Sequence, residues 1–260
     1  MKTLTPIILT LLLASSSLLA QRQTPPTARK IGQVLADFRI DRSSKPVRIY
    51  ASTERMVLSK MFRKYLTDDS KCNRNFQGRG DDPLKAARSA GQIVPSISDS
   101  ATGSFTAAGQ TQTLYVVAVN ECNASHADNF GTKRVAIFSG SQMVADVDVD
   151  FKSGIVRKTD LNGDGIDELL MTSGDMAQGT LVEMADLIDF QNGRMHVIED
   201  LGTVIEDSCG TGMQDSSSKA SVISVVNSAP GTMPKLKIDN YEARCSKNRR
   251  WKFVSTGKQQ

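Results

Sequence analysis

The chain has 260 residues, which is enough for one or two domains with a sizeable hydrophobic core. Aromatic residues make up only 5% of it and there is one tryptophan, so stacking platforms are not supported and we expect no nucleic-acid partner. The net charge of +4 hides an asymmetry, because residues 101–230 hold 7 lysines and arginines against 18 aspartates and glutamates. An acidic middle of this kind suits a cation site.

The N-terminus has the features of a secretory signal peptide over residues 1–20. Lys2 precedes the apolar run Ile7–Leu13, which is followed by small and polar residues up to Ala20. The apolar run is too short to span a bilayer and no later run is longer, so we expect no stable membrane anchor. The sequence therefore predicts export to the periplasm or the extracellular space, with residues 21–30 as a flexible, proline-containing leader.

Residues 31–102 are predicted to form an α-rich segment that begins with a β-hairpin. The hairpin is indicated by alternation in Ala36–Arg42 and by the apolar stretch Val47–Tyr50, which is separated from it by a polar turn. A helix then follows from a cap at Ser52 or Thr53 to about Leu66. Its apolar stripe is expected to pack in the core and consists of Val57, Leu58, Met61, Phe62, Tyr65 and Leu66.

A second, shorter helix is predicted over Leu84–Ala90. Pro83 suits the first helical position and Gly91 is a plausible stop. We expect both helices to pack on a sheet as a cap and not to form an independent domain.

Residues 103–256 are predicted to be β-structure in three repeats, at 103–155, 156–208 and 209–256. Each repeat has an apolar strand, and these strands begin at Leu114, Leu169 and Val222, a spacing of about 53 residues. A hairpin follows each strand, and the turn Asn192-Gly193 is the strongest signal among them. The expected fold is mainly β, with blade-like antiparallel repeats arranged as a partial propeller or a sandwich.

The stretch from Asp160 to Glu168 concentrates oxygen-bearing side chains on a tight loop. They fall at loop positions one, three, five and nine, with glycine at position six to permit a sharp turn. Ca²⁺ takes six to eight oxygen ligands, and a backbone carbonyl at position seven commonly supplies one. The sequence therefore predicts a calcium site, and its ligands are Asp160, Asn162, Asp164, the Ile166 carbonyl and Glu168.

The calcium loop differs from an EF-hand. Position twelve, where an EF-hand has a bidentate glutamate, is Met171, and the flanks have strand patterns instead of helical ones. An acid at position nine followed at once by a strand resembles the FG-GAP/VCBS repeats of integrin-type β-propellers, here in Asp160–Leu170. The resemblance covers one motif, and it implies a loop that ties neighbouring strands together around Ca²⁺. The matching points of the other two repeats lack the acidic loop.

The four cysteines are candidates for disulfide bonds, since an even number in an exported protein favours them. We favour Cys209–Cys245, which flank one repeat, and this leaves Cys72–Cys122.

No catalytic constellation stands out. The two histidines, His126 and His196, have no metal-site or triad spacing around them. The leading hypothesis is a calcium-binding structural or interaction module whose partner is a protein or cell-surface ligand. The alternative is an exported hydrolase with a carboxylate-lined cleft, in which Asp146 and Asp148 on one strand would be the paired acids.

Overall fold

The computed structural model describes residues 32–40, 48–62, 95–119, 133–149, 151–213, 215–227, 231–246 and 248–257. The protein is mainly β, with twelve strands and one α-helix among these residues. The predicted signal peptide, the leader and the predicted helix Leu84–Ala90 lie outside the described residues. All strand pairs are antiparallel and belong to two sheets.

The small sheet has four strands in the order β2-β3-β4-β5. Its strands are β2 (Ser96–Gly103), β3 (Gln112–Ala118), β4 (Lys133–Ser139) and β5 (Gln142–Asp148). Residues of β3 and β4 are apolar almost without interruption. A sheet with one face in solvent would instead alternate apolar and polar residues along each strand. This pattern is explained by cover on both faces of the small sheet.

The single described helix, α1 (Ala51–Met61), covers one face of the small sheet. Val57 and Leu58 are fully buried there, as the predicted stripe requires. The predicted end at Leu66 is wrong, because Phe62 already has extended backbone and places its side chain in the core. The predicted caps are wrong too, since the helix begins at Ala51. Tyr65 and Leu66 lie outside the described residues.

The large sheet contains eight strands. Seven follow the order β12-β11-β10-β9-β8-β7-β6. The eighth, β1, pairs with one part of β10, and β9 pairs with another part of β10. The strands are β1 (Val34–Asp37), β6 (Lys152–Thr159), β7 (Glu168–Ala177), β8 (Thr180–Gln191), β9 (Arg194–Asp207), β10 (Ser217–Asn227), β11 (Lys235–Arg244) and β12 (Lys252–Thr256).

The two sheets pack on each other over a shared core. Leu114 and Ile137 of the small sheet meet Leu169 and Ile188 of the large sheet, and all four are fully buried. The opposite face of the large sheet has a core of its own, in which Leu35 of β1 joins residues of β7, β8, β10 and β11. The layers are therefore, in order, the helix, the small sheet and the large sheet, and the three cores lie between the helix and the small sheet, between the two sheets, and on the far face of the large sheet.

The predicted hairpins of all three repeats are confirmed as β4–β5, β8–β9 and β11–β12. Asn192 and Gly193 have φ angles of 52° and 72°, which is the conformation that the Asn-Gly turn requires. The strands of the second and third repeats lie in one sheet, because β9 pairs with β10 between Ser218 and Asp207. The three repeats are therefore not three separate sheets.

The predicted N-terminal hairpin is wrong. The predicted strand Ala36–Arg42 shares only Ala36 and Asp37 with β1, and β1 pairs with β10 in the register Asp37↔Val222. Residues 48–50 form no strand and lead directly into α1. The sequence also gave no strand for β2 or β6, which are polar and lack the dense β-branched and aromatic residues of their neighbours.

One disulfide bond is present among the described residues, and it is the predicted pair Cys209–Cys245, with a Cα–Cα distance of 5.4 Å. It joins the short 3₁₀ helix Cys209–Thr211 to the end of β11. Cys72 and Cys122 lie outside the described residues. Within the described ranges, no helix has both the length and the apolar character needed to cross a membrane.

Candidate metal centre

The acidic loop connects β6 to β7 at one edge of the large sheet. Both flanking elements are strands, so the expectation of a loop between two β-segments is confirmed and a helix–loop–helix site is excluded. Leu161 is 3% exposed and belongs to the core of the large sheet. The loop is therefore anchored by a buried side chain next to its first acid.

Three carboxylates converge at this loop. Asp160, Asp164 and Glu168 each offer an oxygen, and these oxygens lie within 4.8 Å of one another. Their burial differs, since Glu168 is 2% exposed, Asp160 is half-buried and Asp164 is exposed. The cluster thus runs from the protein interior to the solvent.

The Asp160 side chain organises the backbone of the loop. Its Oδ1 atom accepts a hydrogen bond from the Gly163 N–H at 2.6 Å, and its Oδ2 atom accepts one from the Gly165 N–H at 3.0 Å. Gly163 and Gly165 have φ angles of 81° and 87°, in the left-handed region that favours glycine. The two glycines of the motif thus turn the chain around the carboxylate of position one.

Asn162 and Ile166, the other two predicted ligands, lie beside Asp164. The Asn162 Oδ1 atom accepts a hydrogen bond from the Asp164 N–H at 2.8 Å, and its Nδ2 donates to Asp164 Oδ2 at 3.0 Å. The Ile166 N–H donates to Asp164 Oδ1 at 2.7 Å. The structure therefore brings all five predicted residues onto one short loop, and ligation by Asn162 and by the Ile166 carbonyl stays a prediction.

Glu168 is a buried acid in a crowded negative environment. Burial raises its pKa from 4.5 to about 7, and the charges of Asp164 and Asp160 act in the same direction. The Leu161 N–H donates to Glu168 Oε2 at 2.5 Å and opposes this rise by stabilising the carboxylate. A positive charge in the loop would favour the ionised form of all three acids.

The chemistry of the donor set fits a hard cation. The converging groups are carboxylates, and no histidine or cysteine joins them within the described residues. Oxygen-only ligands suit Ca²⁺, Mg²⁺ or Mn²⁺ and disfavour zinc or copper, which prefer nitrogen and sulfur. Three carboxylates this close together repel one another when they are ionised, and a bound cation would offset that repulsion.

Asp167 fixes the loop to the small sheet, a role that the sequence did not indicate. Its N–H donates to the Ser104 carbonyl oxygen at 2.6 Å, and its Oδ2 atom accepts from the Ser104 N–H at 2.8 Å. Lys158 Nζ lies 3.2 Å from the same Oδ2 atom. No local signal could have revealed this contact, because Ser104 is far away in the sequence.

The loop also contacts the turn between β10 and β11. The Gly231 N–H donates to the Asn162 carbonyl oxygen at 2.9 Å. Together with the contact between Asp167 and Ser104, this places the loop at a junction of three chain segments. The loop therefore contacts the β10–β11 turn of the large sheet and the residue that follows β2 of the small sheet.

The candidate acids of the hydrolase hypothesis lie elsewhere, on β5. Asp146 forms an ion pair with Arg134 at 2.7 Å, and Asp148 is exposed. Burial raises the pKa of Asp146, and Arg134 opposes the rise. The Asp146 Oδ1 atom is buried and has no hydrogen-bond partner among the described residues. The hydrolase reading stays a prediction.

His196 is exposed on β9, where its Nδ1 atom lies 3.0 Å from Asp189 Oδ1. His126 lies outside the described residues.

Comparison of the chain with protein-family models, with curated proteins and with solved structures found no match to any of them.

Proposed function

We propose that this protein is an exported calcium-binding β-protein and that the loop Asp160–Glu168 holds the ion as a structural element of an interaction module. The observation that carries the proposal is the convergence of the Asp160, Asp164 and Glu168 oxygens within 4.8 Å on a glycine-containing turn. Calcium fits because it accepts many oxygen ligands in flexible geometry. The FG-GAP/VCBS resemblance of the same residues points to the same ion.

The ion would order the acidic loop, which contacts two other segments of the chain. Asn162 and Asp167 connect the loop to the β10–β11 turn and to the small sheet. Calcium that binds only the folded loop stabilises the whole fold by mass action. With millimolar calcium and a dissociation constant of about 10⁻⁴ M, the gain is about 1–2 kcal/mol.

The proposed location follows from two features. The disulfide Cys209–Cys245 suits an oxidising compartment, and residues 1–20 have the pattern of a signal peptide. Extracellular calcium reaches the concentrations at which weak sites of this class are filled.

The test is a calcium titration by calorimetry, together with melting curves in calcium and in EGTA. We expect one ion per chain and a higher melting temperature with calcium. Asp160→Asn/Asp164→Asn should abolish both effects. The matched control is Asp148→Asn/Asp175→Asn, which removes two exposed carboxylates outside the loop and should keep both effects. Absence of heat and of any melting shift in the native protein would refute the proposal.

A further inference from the structure

β12 is an edge of the large sheet. It pairs with β11 on one side and with no other strand in the part of the chain that the structure describes. All five of its residues, Lys252–Thr256, are exposed. An edge strand of this kind presents unpaired backbone donors and acceptors, which a further strand can satisfy.

Two apolar side chains on this edge are open to solvent. Phe253 and Val254 are each 58% exposed, and Val254 is the extra residue of a bulge, because Tyr241 pairs with Phe253 and Asn240 pairs with Ser255. The Phe253 ring packs edge-to-face on Tyr241 with a centroid distance of 5.8 Å, and the Arg39 guanidinium lies 4.2 Å from the centroid of the Tyr241 ring. Phe253 is thus held in place from one side, and its other side is open to a cross-strand neighbour.

Positive charge is concentrated where the chain enters β12. Arg250 and Lys252 are exposed, and neither forms an ion pair with any described residue. Arg249 differs, because its Nη2 atom lies 2.7 Å from Asp207 Oδ2. From Cys245 to Gln260 the sequence has five lysines and arginines and no aspartate or glutamate.

The positive charge near β12 favours an acidic partner segment over a second copy of the chain. A second copy of the chain would bring a β12 strand with the same lysine and arginines alongside, and lysine on an edge strand disfavours such self-pairing. An extended segment that carries acidic side chains meets no such repulsion.

We propose that β12 is a docking edge for an extended, acidic segment of a partner protein, which adds to the large sheet as a further strand. Main-chain hydrogen bonds supply the binding, an apolar side chain of the partner packs beside Phe253, and its carboxylates face Arg250 and Lys252. β12 and the acidic loop beside β6 lie at opposite ends of the strand order. Docking is therefore independent of calcium.

The test measures the anisotropy of short fluorescein-labelled peptides titrated with the full chain in EGTA. One peptide alternates glutamate and valine, a second alternates lysine and valine, and a third is the acidic peptide with N-methyl groups on alternate amides. The acidic peptide should bind, and the other two should bind about tenfold more weakly or worse. Amide exchange of residues 252–256 should slow only with the first peptide.

Variants locate the surface. Arg250→Glu/Lys252→Glu should weaken binding of the acidic peptide about tenfold. The control, Lys60→Glu/Arg194→Glu, reverses two exposed charges elsewhere and should leave the affinity unchanged. Equal binding of the N-methylated peptide would mean adsorption by charge alone and would overturn the proposal. So would absence of binding, or a β12-mediated dimer in sedimentation.

Discussion

Asp167 and Ser104 exchange two hydrogen bonds, and they lie directly before β7 of the large sheet and directly after β2 of the small sheet. The Asp167 N–H donates to the Ser104 carbonyl oxygen at 2.6 Å, and the Ser104 N–H donates to Asp167 Oδ2 at 2.8 Å. The side chain that makes this contact comes directly before Glu168, one of the three converging acids. The acidic loop is therefore attached to the small sheet through a residue that is not a predicted ligand.

Replacing Asp167 with alanine should weaken the contact between the sheets. The change leaves the half-buried Ser104 N–H without its side-chain acceptor and removes the ion pair with Lys158, so we expect a loss of about 1–3 kcal/mol. The free energy of unfolding in urea measures it. Asp167→Asn keeps an oxygen acceptor and should lose less. An alanine variant as stable as the native chain would show that the contact adds nothing.

Gly103→Ala should be destabilising for a steric reason. A Cβ atom at Gly103 would overlap Asp167 Oδ2, lie 2.7 Å from Lys158 Cδ and lie 3.1 Å from the ring of Phe105, which is fully buried. Relief requires movement of Asp167 away from Ser104, so we expect a loss of about 1–3 kcal/mol in urea unfolding.

The matched control for that substitution is Gly174→Ala, also in a strand. Its nearest contact would be an ordinary one, 3.4 Å from Glu183 Cγ. We therefore expect a change in stability of less than about 1 kcal/mol. Similar losses in both variants would mean that overlap with Asp167 is not the cause.

Stability without calcium should depend on pH through Glu168. Its pKa in the folded protein, about 7, lies above its ordinary value of 4.5, so the folded state holds the proton more tightly. This contribution is fully present below pH 4.5 and is lost as the pH rises through 7, and its upper bound is about 3 kcal/mol. Melting temperatures of calcium-stripped protein in calcium-free buffer should therefore fall across this range. Glu168→Gln should flatten that part of the plot of melting temperature against pH. An unchanged plot in this variant would mean that other groups cause the pH dependence.

Reduction of Cys209–Cys245 should lower stability substantially. The bond closes a loop with a sequence separation of 36 residues, for which the chain-entropy account gives about 4 kcal/mol. Cys209→Ser/Cys245→Ser, compared with the native protein in urea unfolding, measures the loss. A reductant should reproduce it in the native chain and leave the double variant unchanged, and a double variant of native stability would contradict the expectation.

Much of the fold follows from local patterns. Hairpins such as Leu181–Met195 combine alternating apolar residues with a definite turn, so both strands could be predicted, although three register shifts between β8 and β9 could not. The β2 sequence Ser96–Gly103 has one large apolar residue, and β6 is rich in lysine and arginine. Both are strands because their neighbours pair with them, which is a tertiary effect that composition cannot show.

The sequence indicates which residues form the candidate site, but it does not indicate the contacts that hold the loop to the rest of the protein. The spacing of Asp160, Asp164 and Glu168 was sufficient to indicate convergence, because a tight turn with glycines brings alternate side chains together. The role of Asp167 depends on the approach of Ser104, the residue that follows β2, and the raised pKa of Glu168 depends on its burial. Neither can be seen in one stretch of sequence.

The pairing of β1 with β10 sets the order in which the molecule can assemble. Asp37 lies opposite Val222, so the first described strand has its partner in the last quarter of the chain. A hairpin such as β8–β9 pairs strands that are adjacent in the sequence and can form early, whereas β1 can pair only after β10 is available. Folding should therefore finish with a slow, long-range closure, as contact order predicts, and Leu35 should be among the last residues to be covered.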